Sequence, residues 1–265
     1  GSAIPGDISS VVAGTGLSGG GTSGDVTLNV EAAQSGITSL GTLTALTVNG
    51  NVSIDGGTIK LDGNYPTGTE NVAMGDTALD SIQAGGNYNV AIGSKAATAI
   101  TTGDFNVAVG RSAALVTDTG GCNTAIGAQT FTANTSGENN VAVGKSALSS
   151  NTTADNNTAV GTCALNATTT GESLVAVGRC ALNANTTASS NVAIGDNSLK
   201  LNTTGTNNVA VGRYVLCSNT TASNNTSLGH SSLLSNTTGT GLVAVGTEAL
   251  DANTTASYNT AVGKS

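Results

Sequence analysis

From Asn71 onward, apolar and polar residues recur on a fixed short period. The pentad N-V/T-A-V/I-G starts at Asn71, Asn89, Asn106, Asn123, Asn140, Asn157, Leu174, Asn191, Asn208, Asn225, Leu242 and Asn259, at a first spacing of 18 and then always 17. There are twelve copies, the last cut short at Ser265. A fixed period over this many copies indicates an array or solenoid, in which one unit buries its apolar face only against the next. The pentad's first residue is numbered here as position 1 of each repeat. Positions 2 and 4 are apolar or Thr and lie two apart, so on a strand they share one face. Position 3, nearly always Ala, points the other way. Position 5 is Gly in every copy, from Gly75 to Gly263, which predicts a positive φ or a close backbone approach at a turn. Position 9 is usually Leu, and positions 12 to 15 read N-T-T-G or N-T-T-A, a polar turn. The pattern predicts two short strands and two turns per coil.

A slower alternation doubles the period to 34: position 15 is Gly at Gly137, Gly171, Gly205 and Gly239 but Ala at Ala154, Ala188, Ala222 and Ala256. Helical repeats also run to this length. Here Gly, Asn and Thr are too dense for helices, and no i, i+3, i+4 apolar stripe appears. The doubled unit reads as a trace of duplication with no function of its own.

Composition sharpens this picture. Aromatic residues are 2% and charged residues 9% of the 265, with 37 Gly and 2 Pro. Such a chain cannot build its core from large rings, so the core is expected in thin layers of Val, Ile, Leu and Ala. The strict periodicity argues against disorder, which polar low-complexity composition would otherwise suggest. A net charge of −8 without a visible basic patch argues against nucleic-acid binding. No run of about eighteen apolar residues exists, so membrane insertion is not expected. Gly1-Ser2 reads as a cloning remnant, and the chain as part of a longer protein.

The pentad followed by a small-residue second strand resembles the head repeats of YadA-type trimeric autotransporter adhesins. The longer pattern N-T-A-V-G-x-x-A-L-x-x-N-T-T-G resembles arrays in phage tail fibres and related bacterial fibre proteins still more closely. The similarity covers residues 71–265. It implies an all-β fold: a left-handed parallel β-roll, or β-solenoid, in each chain of a homotrimeric fibre. By that resemblance Val107, Val109, Val141 and Val143 line the roll interior, and Gly110 and Gly144 sit at its turn. The repeat core then takes in Gly161, Gly178, Gly195 and Gly212 with Leu148, Leu165 and Leu182. The adhesin head repeat is usually shorter, so the N-T-T turn is an extension, and neither a coiled-coil stalk nor an anchor accompanies it. That favours the tail-fibre branch. Segments Gly14–Val30 and Leu40–Gly56 resemble parts of marine phage tail fibres. Asn49-Gly50 and Asp55-Gly56-Gly57 are hairpin turn signals; such hairpins are marginal alone and call for intertwining of three chains. The expected division is a β-rich trimeric segment over 1–35, a β-hairpin shaft or connector over 36–66, and the repeats over 67–265, with the composition shift near Asn64-Tyr65-Pro66.

Candidate chemistry is sparse. Cys163 and Cys180 share position 7 of consecutive coils, about 4.8 Å apart on a solenoid, but in-register parallel neighbours rarely have disulfide geometry; they read as semi-exposed thiols. Without a C-x-x-C pair a zinc site is not expected. His230, the only histidine, lacks the partners that catalysis or metal binding needs. Arg111, Lys145, Arg179 and Arg213 recur at position 6 of every second coil, either as a solvated edge that keeps the sheet soluble or as a contact row for an anionic glycan. Carboxylates are scattered, and Glu248 and Asp251 fall in one turn-like segment, so the paired carboxylates of a glycosidase are not apparent. The N-T-T triplets match glycosylation sequons but read as turns.

These observations predict a non-enzymatic protein with no cofactor: a structural or adhesive segment of a homotrimeric fibre in a virion tail, helping to present a tip to a host receptor or glycan. The coils should stack into a rod of roughly 55 Å. A bacterial cell-surface adhesin is the alternative. Two further readings stay open: a solenoid that binds ice or another ordered surface through Thr153, Thr187, Thr204, Thr221 and Thr238, and a tailspike-like polysaccharide depolymerase.

Overall fold

A computed structural model of the chain describes residues 11–12, 17–21, 28–30 and 68–264. The chain divides into two compact units, Gly1–Ile59 and Lys60–Ser265. In the first unit β1 (Val11–Val12), β2 (Leu17–Gly21) and β3 (Leu28–Val30) form an antiparallel sheet in the order β1-β2-β3, with Val11 opposite Gly21 and Leu17 opposite Val30. The hairpin signals at Asn49-Gly50 and Asp55-Gly56 and the boundary at Asn64-Tyr65-Pro66 lie outside the described residues.

The second unit is an all-β solenoid. Twelve three-residue strands make one parallel sheet in sequence order: β4 (Val72–Met74), β5 (Val90–Ile92), β6 (Val107–Val109), β7 (Thr124–Ile126), β8 (Val141–Val143), β9 (Thr158–Val160), β10 (Val175–Val177), β11 (Val192–Ile194), β12 (Val209–Val211), β13 (Thr226–Leu228), β14 (Val243–Val245) and β15 (Thr260–Val262). Each strand is positions 2–4 of one repeat, paired with the same positions of the next: Val141 lies beside Thr158, Ala142 beside Ala159 and Val143 beside Val160. The strict period is what allows this register. An array of identical coils places every strand atom over its equivalent, so ladder bonds such as Val141 N–H to Asn157 C=O, 2.8 Å, repeat without a slip.

The second strand expected in each coil is not formed. Positions 6–11 run as successive turns in which positions 7 and 9 adopt the left-handed conformation, as in Ser146 (φ 56°) and Leu148 (φ 48°). Their amides still bond between coils: Leu148 N–H donates to Ala164 C=O at 3.0 Å and Ser150 N–H to Asn166 C=O at 3.1 Å. A wall of turns thus satisfies its backbone groups much as a sheet would.

The interior also differs from the resemblance. Ala at position 3, not Val at 2 and 4, faces inward. Ala108, Ala142, Ala159 and Ala176 are fully buried, while Val141 is 36% exposed and Val107, Val109 and Val143 are half-buried on the outer face. The reason is room. Opposite position 3 stand Ala at position 8 and Leu at position 9, both buried, as in Ala147 and Leu148, Ala164 and Leu165, Ala181 and Leu182. The Leu fills the narrow lumen, leaving space for only a methyl from the strand. Where position 9 shrinks to Ala97, position 12 grows to Ile100, also fully buried. Leu148, Leu165 and Leu182 are core, as expected.

Gly110, Gly144, Gly161, Gly178, Gly195 and Gly212 do occupy the corner after the strand, with φ between 124° and 136°. A Cβ on Gly144 would lie 2.7 Å from the carbonyl carbon of Gly161 in the next coil, so the position needs both the positive φ and the missing side chain.

Candidate interaction face

The residue that closes each coil is Asn. At position 1, the side-chain oxygen accepts the position 1 amide of the next coil, and the side-chain NH2 donates to the position 15 carbonyl of its own coil. Asn140 Nδ2 reaches Ala154 O at 2.9 Å, and Asn157 N–H reaches Asn140 Oδ1 at 2.9 Å. At position 12, Asn151 Nδ2 donates to the same Ala154 carbonyl at 3.1 Å and to Asn134 Oδ1 of the preceding coil at 2.9 Å. The position 15 carbonyl therefore accepts two amide donors, one for each lone pair. Both Asn columns are buried except in the last coil, where Asn253 and Asn259 are half-buried. The polar turn read at positions 12–15 is thus half interior, and the sequon asparagines Asn151, Asn185, Asn202, Asn219 and Asn236 are fully enclosed.

With Asn, Ala and Leu turned inward, positions 2 and 4 face out. The result is a strip two side chains wide that climbs all twelve strands. It holds Val, Ile, Leu and Met with Thr at Thr124, Thr158, Thr226 and Thr260. Ile194 is 40% and Leu228 47% exposed. A monomer's largest exposed apolar patch is usually a few hundred Å² and is often functional; here the apolar surface is continuous along the sheet.

Charged columns flank the strip. Position 6, two residues beyond the strand, carries Arg111, Lys145, Arg179 and Arg213, all exposed. Position 16, three residues before the next strand begins, carries Asp104, Glu138, Asp155 and Glu172. Arg179 Nε lies 2.9 Å from Asp196 Oδ1, and Arg213 stacks at 4.5 Å over the Tyr214 ring. Asp155 Oδ1 accepts the Glu138 amide at 2.7 Å. Arg111 and Lys145 make no ion pair within the described residues.

The remaining candidates lie elsewhere. Cys163 and Cys180 are half-buried and unbonded. Burial pushes the Cys217 thiol up, reinforced by Asp196 and opposed by Lys200. His230 is exposed at position 6. Thr153, Thr187, Thr204, Thr221 and Thr238 form an exposed column, but on a bend rather than on the flat sheet. Their neighbours at position 13 hold the bend by donating between coils, as Thr152 Oγ1 does to Thr169 O at 3.1 Å. A polar groove of about 350 Å³ runs between positions 7 and 10, lined by Ser112, Leu115, Gln129, Thr132, Ser146 and Ser149. Tyr88 and Phe105 stack on each other at 4.8 Å. Among the described residues no three metal-ligating side chains cluster, and no helix is long and apolar enough to cross a membrane.

Compared with known proteins, the chain matches no protein-family model, no curated protein and no solved structure.

Proposed function

We propose that the chain is a structural and adhesive segment of a homotrimeric fibre, of the kind found in phage tails, whose work is to hold a host-binding end at a distance. The supporting observation is the uninterrupted outward strip of Val, Ile and Leu on the parallel sheet. A solenoid that worked alone would face water with Thr or charge at positions 2 and 4. Here most of those positions are branched apolar side chains, the composition of a surface that another chain covers. Three is the number that the resemblance to fibre repeats implies. Stiffness follows from the ladder of backbone bonds between coils and from the two Asn columns, and the role is mechanical rather than chemical.

The test is a charged substitution in the strip. Val143→Lys, Val177→Lys and Val211→Lys in one chain place three ammonium groups where the partner packs. They remain outside the monomer interior, so the coils stay β-structured by circular dichroism while the native mass drops to that of one chain. A variant that keeps its assembled mass would overturn the reading.

A further inference from the structure

We infer that Cys163 and Cys180 form a two-thiolate site for a soft, two-coordinate monovalent cation of the copper(I) or silver(I) kind. The pair lies on the wall of turns, past the Gly corner from the apolar strip, and the inference stands apart from the fibre reading above.

The coil stack sets the distance between the two residues. Both stand at position 7, in consecutive coils, in the same left-handed conformation, φ 58° and 56°. Each is tied to the coil before it: Cys163 N–H donates to Lys145 C=O at 3.0 Å, and Cys180 N–H to Thr162 C=O at 3.0 Å. The Cys163 carbonyl is held as well, by Asn183 Nδ2 at 3.0 Å. The two backbones are therefore one coil rise apart, about 4.8 Å. Side chains can keep that spacing. The rings of Tyr88 and Phe105, also at one position of consecutive coils, stand 4.8 Å apart with their planes 4° from parallel.

This spacing is wrong for one bond and right for another. A disulfide needs Cβ atoms about 3.5–4.5 Å apart, so parallel side chains at the coil rise would have to pinch two coils together against their ladder. A metal–thiolate bond is about 2.3 Å long. Two such bonds in line span about 4.6 Å, close to the coil rise of about 4.8 Å. Among the described residues no third His, Cys, Asp or Glu joins the pair, which leaves out the four-ligand site that structural zinc takes. Two sulfurs alone are the donor set of a soft ion such as copper(I). On binding, each thiol gives its S–H proton to solvent, and the two thiolates share the cation with a net charge of −1. Lys145, whose carbonyl holds Cys163, and Arg179, next to Cys180 in sequence, bring positive charge to the same wall. Both cysteines are half-buried, so the pair is open to an ion. The other two cysteines have no such neighbour: Cys122 stands at position 17 between Phe105 and Asn139, and Cys217 at position 10 between Lys200 and Leu234.

The experiment titrates the reduced full chain with silver(I) against an excess of a monothiol and reads bound metal by native mass spectrometry. One silver(I) per chain should be retained. Cys163→Ser and Cys180→Ser should each weaken retention at least about a hundredfold, because a second tethered ligand acts at high effective concentration. Ser is the native residue at position 7 in Ser112, Ser146 and Ser231, so both variants should fold. Cys122→Ser with Cys217→Ser should leave retention unchanged. X-ray absorption of the copper(I)-loaded protein should count two sulfur neighbours. Retention that survives either single substitution, metal spread over all four thiols at monothiol strength, or a shell of three sulfurs would each overturn the inference. So would ready closure of Cys163 and Cys180 to a disulfide under a mild oxidant, since the coil rise would then not hold the sulfurs apart.

Discussion

Leu148 combines full burial with φ 48°, a backbone conformation that side chains other than Gly, Asn and Asp rarely adopt. The strain costs roughly 1–2 kcal/mol, which burial of the isobutyl group, at about 1.5–3 kcal/mol, offsets. Leu148→Ala keeps the strain and loses the burial, so it should destabilise by about 2–5 kcal/mol, read as a fall in the denaturation midpoint. The Asn column makes a prediction of the opposite sign. Asn151 Oδ1 is buried without a partner because Thr168, not Asn, follows it at position 12. Thr168→Asn supplies the missing amide donor, so it should raise stability by about 1 kcal/mol. No gain in melting temperature would show that the ladder does not extend through that coil. At this scale the sequence made Gly144 and Leu148 legible, because a residue that admits no substitute or recurs as the only large apolar group has few readings. It could not disclose the role of Asn151. A polar residue before two Thr has the signature of an exposed turn, and only closure of the coil shows that its side chain points inward.

For the coil as an element, the period identified a solenoid and the strand at positions 2–4. It could not say which of two alternating faces is inside, because Val-Ala-Val satisfies a strand either way. The resemblance placed Val107, Val109, Val141 and Val143 inside; the width left beside Leu at position 9 places Ala there instead. The second strand was misread for a related reason: left-handed residues such as Ser146 and Cys163 carry no Gly or Pro to announce a turn. From Gly137 onward position 15 alternates between Gly and Ala. A Cβ on Gly137 would lie 2.5 Å from the Ala154 carbonyl oxygen of the next coil, and no two adjacent coils both carry Ala there. Deleting residues 140–173, two coils, keeps the alternation and should leave the melting temperature nearly unchanged. Deleting 157–173 alone brings Ala154 against Ala188 and should lower it. Equal effects of the two deletions would mean that only the 17-residue period matters.

On the scale of the whole molecule, the fold explains an otherwise puzzling composition. A chain with 2% aromatic residues reaches order by stacking twelve thin layers, each too small to stand alone, and leaves one apolar face uncovered. In the function proposed above, copies of the same chain cover this face. The direct measurement is the native mass by light scattering across a range of concentrations. The result expected is a species of three times 25.5 kDa that persists on dilution. A single species of 25.5 kDa at every concentration would contradict it and leave the strip facing water.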